Sequence, residues 1–242
     1  MAKILCIFAP TRVIRHRIRN YLRGRGKNNK LIIVKNGKEY INHYLKIPRG
    51  LVIVITGNGN VVKLNLPIKA KGSRLTIGSN NGYFEIGPSE QFNGVEMLAM
   101  NGTGQNVKIG ENVSILGKVN IYMTYNTSLI IGKDCMFSAD ISIRLTDAHT
   151  IFDKNTEEIL NKPRHALVIG NHCWIGQFVR IAKNAVIPDN TIVGMCSVVT
   201  RKFTEEYTAI AGNPAKVIRT GISWDKSDIT GFEQRNNKKQ GK

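Results

Sequence analysis

The segment "IRLTDAHTIFD" (residues 143–153) places one histidine, His149, between two acids, Asp147 and Asp153. A neutral imidazole that titrates near working pH can take a proton from a hydroxyl or an amine, an effect of roughly 10²- to 10⁴-fold in rate. A carboxylate beside the ring fixes its tautomer and supports the imidazolium. Asp147 and Asp153 each lie within four residues of the ring, so either could serve. Taken alone, such a histidine reads as a hydrogen-bonded anchor at a loop base. Asp147 argues for more, because it occupies a place that small residues fill elsewhere in the chain. An acid there needs a partner or a neighbouring site. His149 as general base and Asp147 as its support form the candidate catalytic pair.

The elements that must hold this pair follow from a period of six. From Ile169, steps of six reach Ile175, Ile181, Ile187 and Val193, all β-branched aliphatics. Four residues after each stand Cys173, Val179, Ala185, Thr191 and Ser197, all small or compact. One residue after each stand Gly170, Gly176, Ala182, Pro188 and Gly194. The first column alone would arise by chance on the order of once in a thousand trials. The frame extends upstream through Ile109, Ile115 and Ile121, then Ile131, Phe137 and Ile143, with an insertion of about four residues after Asn126. Weaker copies are "IGSNNG" and "IGPSEQ".

A repeat of this length suits short strands joined by bends, three to a coil, with coils hydrogen-bonded roughly 4.8 Å apart. The aliphatic column fills the interior, and a glycine beside it suits the bend. The period lapses over residues 149–168 and resumes at Ile169. An excursion from a solenoid is where function concentrates, and His149 stands at its start.

The expected organisation has three parts. Residues 1–50 form a mixed basic segment, in which "PTRVIRHRIRNYLRGRGK" suits an amphipathic helix ended by Gly24. Residues 51–200 form the parallel β-helix with its protruding loop, and "LVIVI" is a strand within it. Residues 201–242 form a short extension whose tail, "RNNKKQGK", is solvated and disordered. The basic helix reads as a cap or a trimer contact, or else as a surface that meets anionic membrane or polymer.

Charge sets the partner class. The chain has 35 Lys and Arg against 17 Asp and Glu, a net charge of +18, and such a field attracts anions. Few aromatic residues lie near the basic clusters and no nucleic-acid motif is present, so nucleic acid is not an expected partner. No apolar run approaches the roughly 18 residues of a membrane span, and the opening is too short for a secretory signal. The four cysteines have neither CxxC spacing nor disulfide-rich density, which suggests a reducing cytoplasm. Cys135 and Cys173 fall in the small interior column and read as packing. His149, His165 and His172 are poorly spaced for a zinc site, so no metal is expected.

"DAHTIFD" followed by "IGNHCWIG", with "IPDNTIVGMCSVVTRKF" and "AGNPAKVIR" downstream, resembles the hexapeptide-repeat acyltransferases. Within them the likeness is to the O-acetyltransferases of bacterial capsule, polysialic acid and lipopolysaccharide. It covers about residues 106–220. The resemblance implies an all-β fold, a left-handed parallel β-helix of hexapeptide repeats assembled as a cytoplasmic homotrimer, with sites between subunits. It implies acetyl-CoA as donor, a glycan hydroxyl as acceptor, and His149 as the base that activates it. By the same match Trp174 lines the cleft, and the pantetheine arm passes Gln177 and Met195. Arg201, Lys216 and Arg219 face the nucleotide phosphates, with Lys183 as a further candidate. "GMCS" departs from the family's smaller residues, so Met195 would narrow the pantetheine channel. The net charge suggests an acidic acceptor. The other functions considered are N-acetylation of an amino-sugar or small amine, and a non-catalytic scaffold or polysaccharide-binding module.

Overall fold

The computed structural model describes residues 26–239, so the expected basic helix lies almost wholly outside the described residues. Three parallel sheets wrap into a left-handed β-helix of about seven turns. One coil shows the plan. Asn106–Ile109 lies on face one, Ser114–Ile115 on face two and Val119–Met123 on face three, and Ser128–Ile131 returns to face one.

Each face carries an interior column of aliphatic or aromatic residues that stack from coil to coil. On face one, Ile86, Ile109, Ile131, Ile169 and Ile187 are at most 3% exposed. On face two the column runs Phe92, Ile115, Phe137, Ile175, Val193, and on face three Met97, Ile121, Ile143, Ile181, Val199, all equally buried. The compact residues between them are interior too. Cys135, Cys173, Val179, Ala185, Thr191 and Ser197 are all fully buried. The six-residue columns therefore fill the inside of the prism, as their spacing requires.

Coil length changes along the rod. Ile175 pairs with Val193, 18 positions on, as three hexads require. Upstream, Ile115 pairs with Phe137 and Leu75 with Met97, each 22 positions on. The additional residues sit in wider turns between faces three and one, such as Asn101–Gln105 and Thr124–Thr127. Only the last coils are strict hexads.

The bends arise differently from the expectation. Gly170, Gly176 and Gly194 do not have positive φ; the residue three places after each aliphatic does. His172, Phe178, Asn184, Asn190 and Cys196 all have φ between 52° and 63°. The glycines meet a packing demand instead. A Cβ on Gly87 would lie 2.6 Å from Gly110 C, one on Gly110 2.7 Å from Gly132 C, and one on Gly132 2.6 Å from Gly170 C. At this corner coils stack backbone on backbone, and a side chain would force them apart.

The rod extends beyond residues 51–200 at both ends. Lys30–Lys35 pairs in parallel with Val61–Asn65 and forms a hairpin with Lys38–Ile41. At the other end Thr208–Gly212 continues face two, and Ala215–Thr220 folds back on it antiparallel. A strap follows along the corner between faces one and two. In it Trp224 Nε1 donates to His172 O at 2.8 Å, and Lys226 Nζ donates to Asn112 O at 3.1 Å. The expected disordered tail is instead helical as far as it is described. Residues 235–239 belong to a helix, Ile229–Lys239, started by Asp228 accepting from Gly231 N at 2.8 Å and held by an Arg235–Asp225 pair. Among the described residues no helix is long and apolar enough to cross a membrane.

The glycine stack gives a direct test. Gly170→Ala places a methyl 2.6 Å from Asp189 N and 2.8 Å from Pro188 C. It should destabilise the fold by about 1–3 kcal/mol, read as a lower midpoint in urea unfolding.

Candidate functional site

The excursion leaves face three after Ile141–Arg144 and rejoins face one at Leu167–Ile169. The interior register is continuous across it, since Ile143 pairs with Ile181 and Ile131 with Ile169. Within it, Ile151 and Leu160 share a backbone hydrogen bond of 2.8 Å, and Phe152 bridges Ile159 antiparallel, so the loop is a small hairpin. Asp153 closes its turn by accepting from Asn155 N at 2.8 Å and Thr156 N at 2.9 Å. Those bonds, Thr156 first, hold its carboxyl below the usual carboxylate range.

His149 lies at the base of this hairpin, exposed, and lines a cleft of about 270 Å³. Tyr122, Tyr125, Thr146, Asn161 and Lys162 are among the other walls. Thr146 and Thr124 share a hydroxyl hydrogen bond of 2.7 Å across adjacent coils, and Ala148 turns the chain with φ 66°. No described residue hydrogen-bonds the His149 ring, which leaves both nitrogens to the cleft.

The expected carboxylate support is not formed. Asp147 Oδ2 pairs with Lys183 Nζ and accepts from Asn161 Nδ2 at 2.8 Å. Asp153 is used in its own turn. Neither acid bonds the imidazole, because Asp147 is directed along the corner toward the next coil, where Lys183 stands. Lys183, expected near phosphates, is engaged there instead. The Lys183 bond draws the Asp147 carboxyl below the usual range, opposed by partial burial and aided by Asn161.

Most of the expected cofactor residues lie elsewhere on the prism. Trp174 is on face two, 36% exposed, with Nε1 3.4 Å from Ser138 Oγ. Gln177 and Met195 occupy the turns between faces two and three, stacked so that Cys196 N donates to Gln177 O at 2.9 Å. Met195 is 63% exposed. Lys216 and Arg219 are exposed on the hairpin that extends face two, whereas Arg201 follows the last strand of face three. The structure thus brings together His149, Asp147, Lys183 and Arg201 along one corner, and Trp174, Gln177, Met195, Lys216 and Arg219 around another side.

Two contributors have no motif. Trp224 stacks on His172, with ring centroids 4.6 Å apart and planes within 10°, and stands 6.1 Å from the Trp174 ring. It is 50 residues from Trp174, so no local pattern marks it. Asn161 ties the loop base together from within a polar stretch, where only its side-chain bonds distinguish it.

Comparison with known proteins agrees with this architecture. Residues 167–201, the strict hexads, match the bacterial transferase hexapeptide (six repeats) family. The polysialic acid O-acetyltransferase of Escherichia coli O1:K1 / APEC is 31% identical over 125 residues, 52% of this chain, and the chain spans 40% of its length. The polysialic acid O-acetyltransferase of Neisseria meningitidis is 29% identical over 72% of this chain and 79% of that one. A Lysinibacillus sphaericus protein named "Probable macrolide acetyltransferase" is 32% identical over 45% of this chain and 68% of its own length. The crystal structure of the polySia specific acetyltransferase NeuO superposes with a TM-score of 0.66 at 22% identity, covering 90% of this chain and 88% of that one, so the fold is shared.

The Asp147–Lys183 pair predicts a pH effect of definite sign. A lowered carboxyl contributes stability above the ordinary carboxylate range (~3.9) and loses it as pH falls through the depressed folded value. Lys183→Met should raise the Asp147 titration midpoint toward the ordinary value, followed by carbon-13 NMR of that carboxyl.

Proposed function

Because the chain belongs to the bacterial transferase hexapeptide family, we propose that it is an acetyl-CoA-dependent O-acetyltransferase acting on a sugar hydroxyl of a bacterial surface glycan or its precursor. One observation carries this best: a histidine ring to which no described residue hydrogen-bonds lines a cleft of polar and apolar walls at the edge of a rigid rod. A base held this way is available to a substrate hydroxyl and costs no internal bond when it turns to meet one.

The acceptor hydroxyl lies against the His149 ring, which takes its proton as the oxygen attacks the thioester carbonyl. The new O–C bond forms, the C–S bond breaks, and the imidazolium returns its proton to the departing thiolate. Face two suits the donor. Trp174 and Trp224 offer an apolar wall on face two, Met195 is exposed at the turn toward face three, and Lys216 and Arg219 are solvent-facing cations suited to phosphate.

Catalysis then needs two copies of the chain. His149 stands at the corner between faces three and one, whereas Trp174 lies on face two and Gln177 and Met195 at the far end of that face. A head-to-tail contact repeated around a threefold axis sets one copy's histidine corner against its neighbour's donor side and closes as a homotrimer. The net charge of +18 favours an acidic acceptor, drawn by the field at low salt.

His149→Ala should lower thiol release from acetyl-CoA by about 10²- to 10⁴-fold, measured with oligosialic acid, a neutral galactoside and an amino-sugar side by side. Near wild-type rates in the variant would end the catalytic assignment, and preference for the amino-sugar would move the activity to N-acetylation. Co-expressing His149→Ala with Trp174→Ala chains should recover part of the activity that each lacks alone. No recovery in mixed assemblies would place the whole site within one chain.

A further inference from the structure

The excursion's two limbs meet at one side chain. Asn161 Nδ2 donates to His149 O at 2.8 Å and to Asp147 Oδ2 at 2.8 Å, while Asn161 Oδ1 accepts from Ile151 N at 2.9 Å. One amide thereby binds the residue two before His149, His149 itself and the residue two after it. An amide is suited to this task, because it offers donors on one side and an acceptor on the other. A carboxylate in its place would face the Asp147 carboxylate and the His149 carbonyl, and an alkyl group would leave the His149 carbonyl and the Ile151 N–H unmatched.

The clamp is anchored to the rod. The Asp147 oxygen that accepts from Asn161 also pairs with Lys183, which sits on the next coil just after Ile181 of face three. Before the loop, Thr146 Oγ1 is held by Thr124 and receives Ala148 N at 3.3 Å. The backbone at His149 is thus located by a chain of bonds from two rigid coils, although the segment is exposed and no described residue hydrogen-bonds the ring. The same pattern explains why a lysine and an acid, neither touching the imidazole, lie beside it.

We propose that Asn161 is a positioning residue for His149, fixing the imidazole's backbone relative to the rod through Asp147 and Lys183. The proposal rests on His149 being the general base. Asp147 then acts through Asn161 and the backbone and does not contact the ring. The loop can remain solvent-exposed for the acceptor to enter, while the one residue that must not move is held. A ring displaced by an ångström from the attacking hydroxyl is still able to accept a proton, but less often in the productive geometry. Donor binding, on another side of the prism, is untouched.

The test compares Asn161→Ala, Asn161→Asp and His149→Ala by thiol release from acetyl-CoA. The acceptor is whichever of the three probe sugars reacts fastest with the unaltered protein, or water if none does. Asn161→Ala should lower kcat by about 10- to 100-fold, with the KM for acetyl-CoA and the melting temperature essentially unchanged. Asn161→Asp should be at least as impaired as Asn161→Ala at pH 8, because its carboxylate would face the Asp147 carboxylate and the His149 carbonyl. Wild-type kcat in Asn161→Ala overturns the proposal. So does a loss matched by a lower melting temperature and a higher donor KM, which marks a merely structural residue. If His149→Ala alone retains full activity, the general-base assignment itself is what fails.

Discussion

Successive coils approach to backbone hydrogen-bonding distance, roughly 4.8 Å, and everything at the corners must be compatible with that approach. Where the turns leave face one, a run of glycines at positions 87, 110, 132 and 170 lies backbone on backbone, with no room for a Cβ. Inside, Ile, Val and Phe stack on their own kind from coil to coil, as in Phe137 on Ile175 and Ile143 on Ile181. The rod is stiff because each coil is hydrogen-bonded above and below and its interior is filled. That stiffness gives the exposed histidine corner a fixed place on the rod.

The site is distributed because the prism has sides. A three-faced rod cannot turn its corner between faces three and one toward its own face two. His149 and Trp174 are separated by the core between them, although only 25 positions part them in the chain. Lys183 and Asn161 fix the histidine corner, and the Trp224 strap runs along the corner between faces one and two.

The interior was legible in the primary structure because burial there depends on one variable, residue type at a fixed interval. Ile169 to Val193 could be placed inside, and Cys135 and Cys173 read as packing, without any tertiary information. The excursion was equally plain as a break in the interval. What escaped was whatever depends on contacts between distant segments. His172 and Phe178 adopt left-handed backbone at positions where glycine or asparagine would be the obvious choice, because coil stacking compels the turn. Asp147 looked like a partner for His149 on proximity alone, yet a lysine 36 residues away competes for it and wins. Asn161 has no signal at all in a run of polar residues; its role exists only once both limbs of the hairpin are folded.

The unbroken pairing of Ile143 with Ile181 has a consequence for how such a chain can change. Strands on either side of the excursion stay in step whether the chain between them is short or long, so that junction tolerates splicing. Hairpins of other lengths and compositions could be grafted there with the rod intact. A scaffold with one permissive seam lets its protruding loop diversify separately from its core.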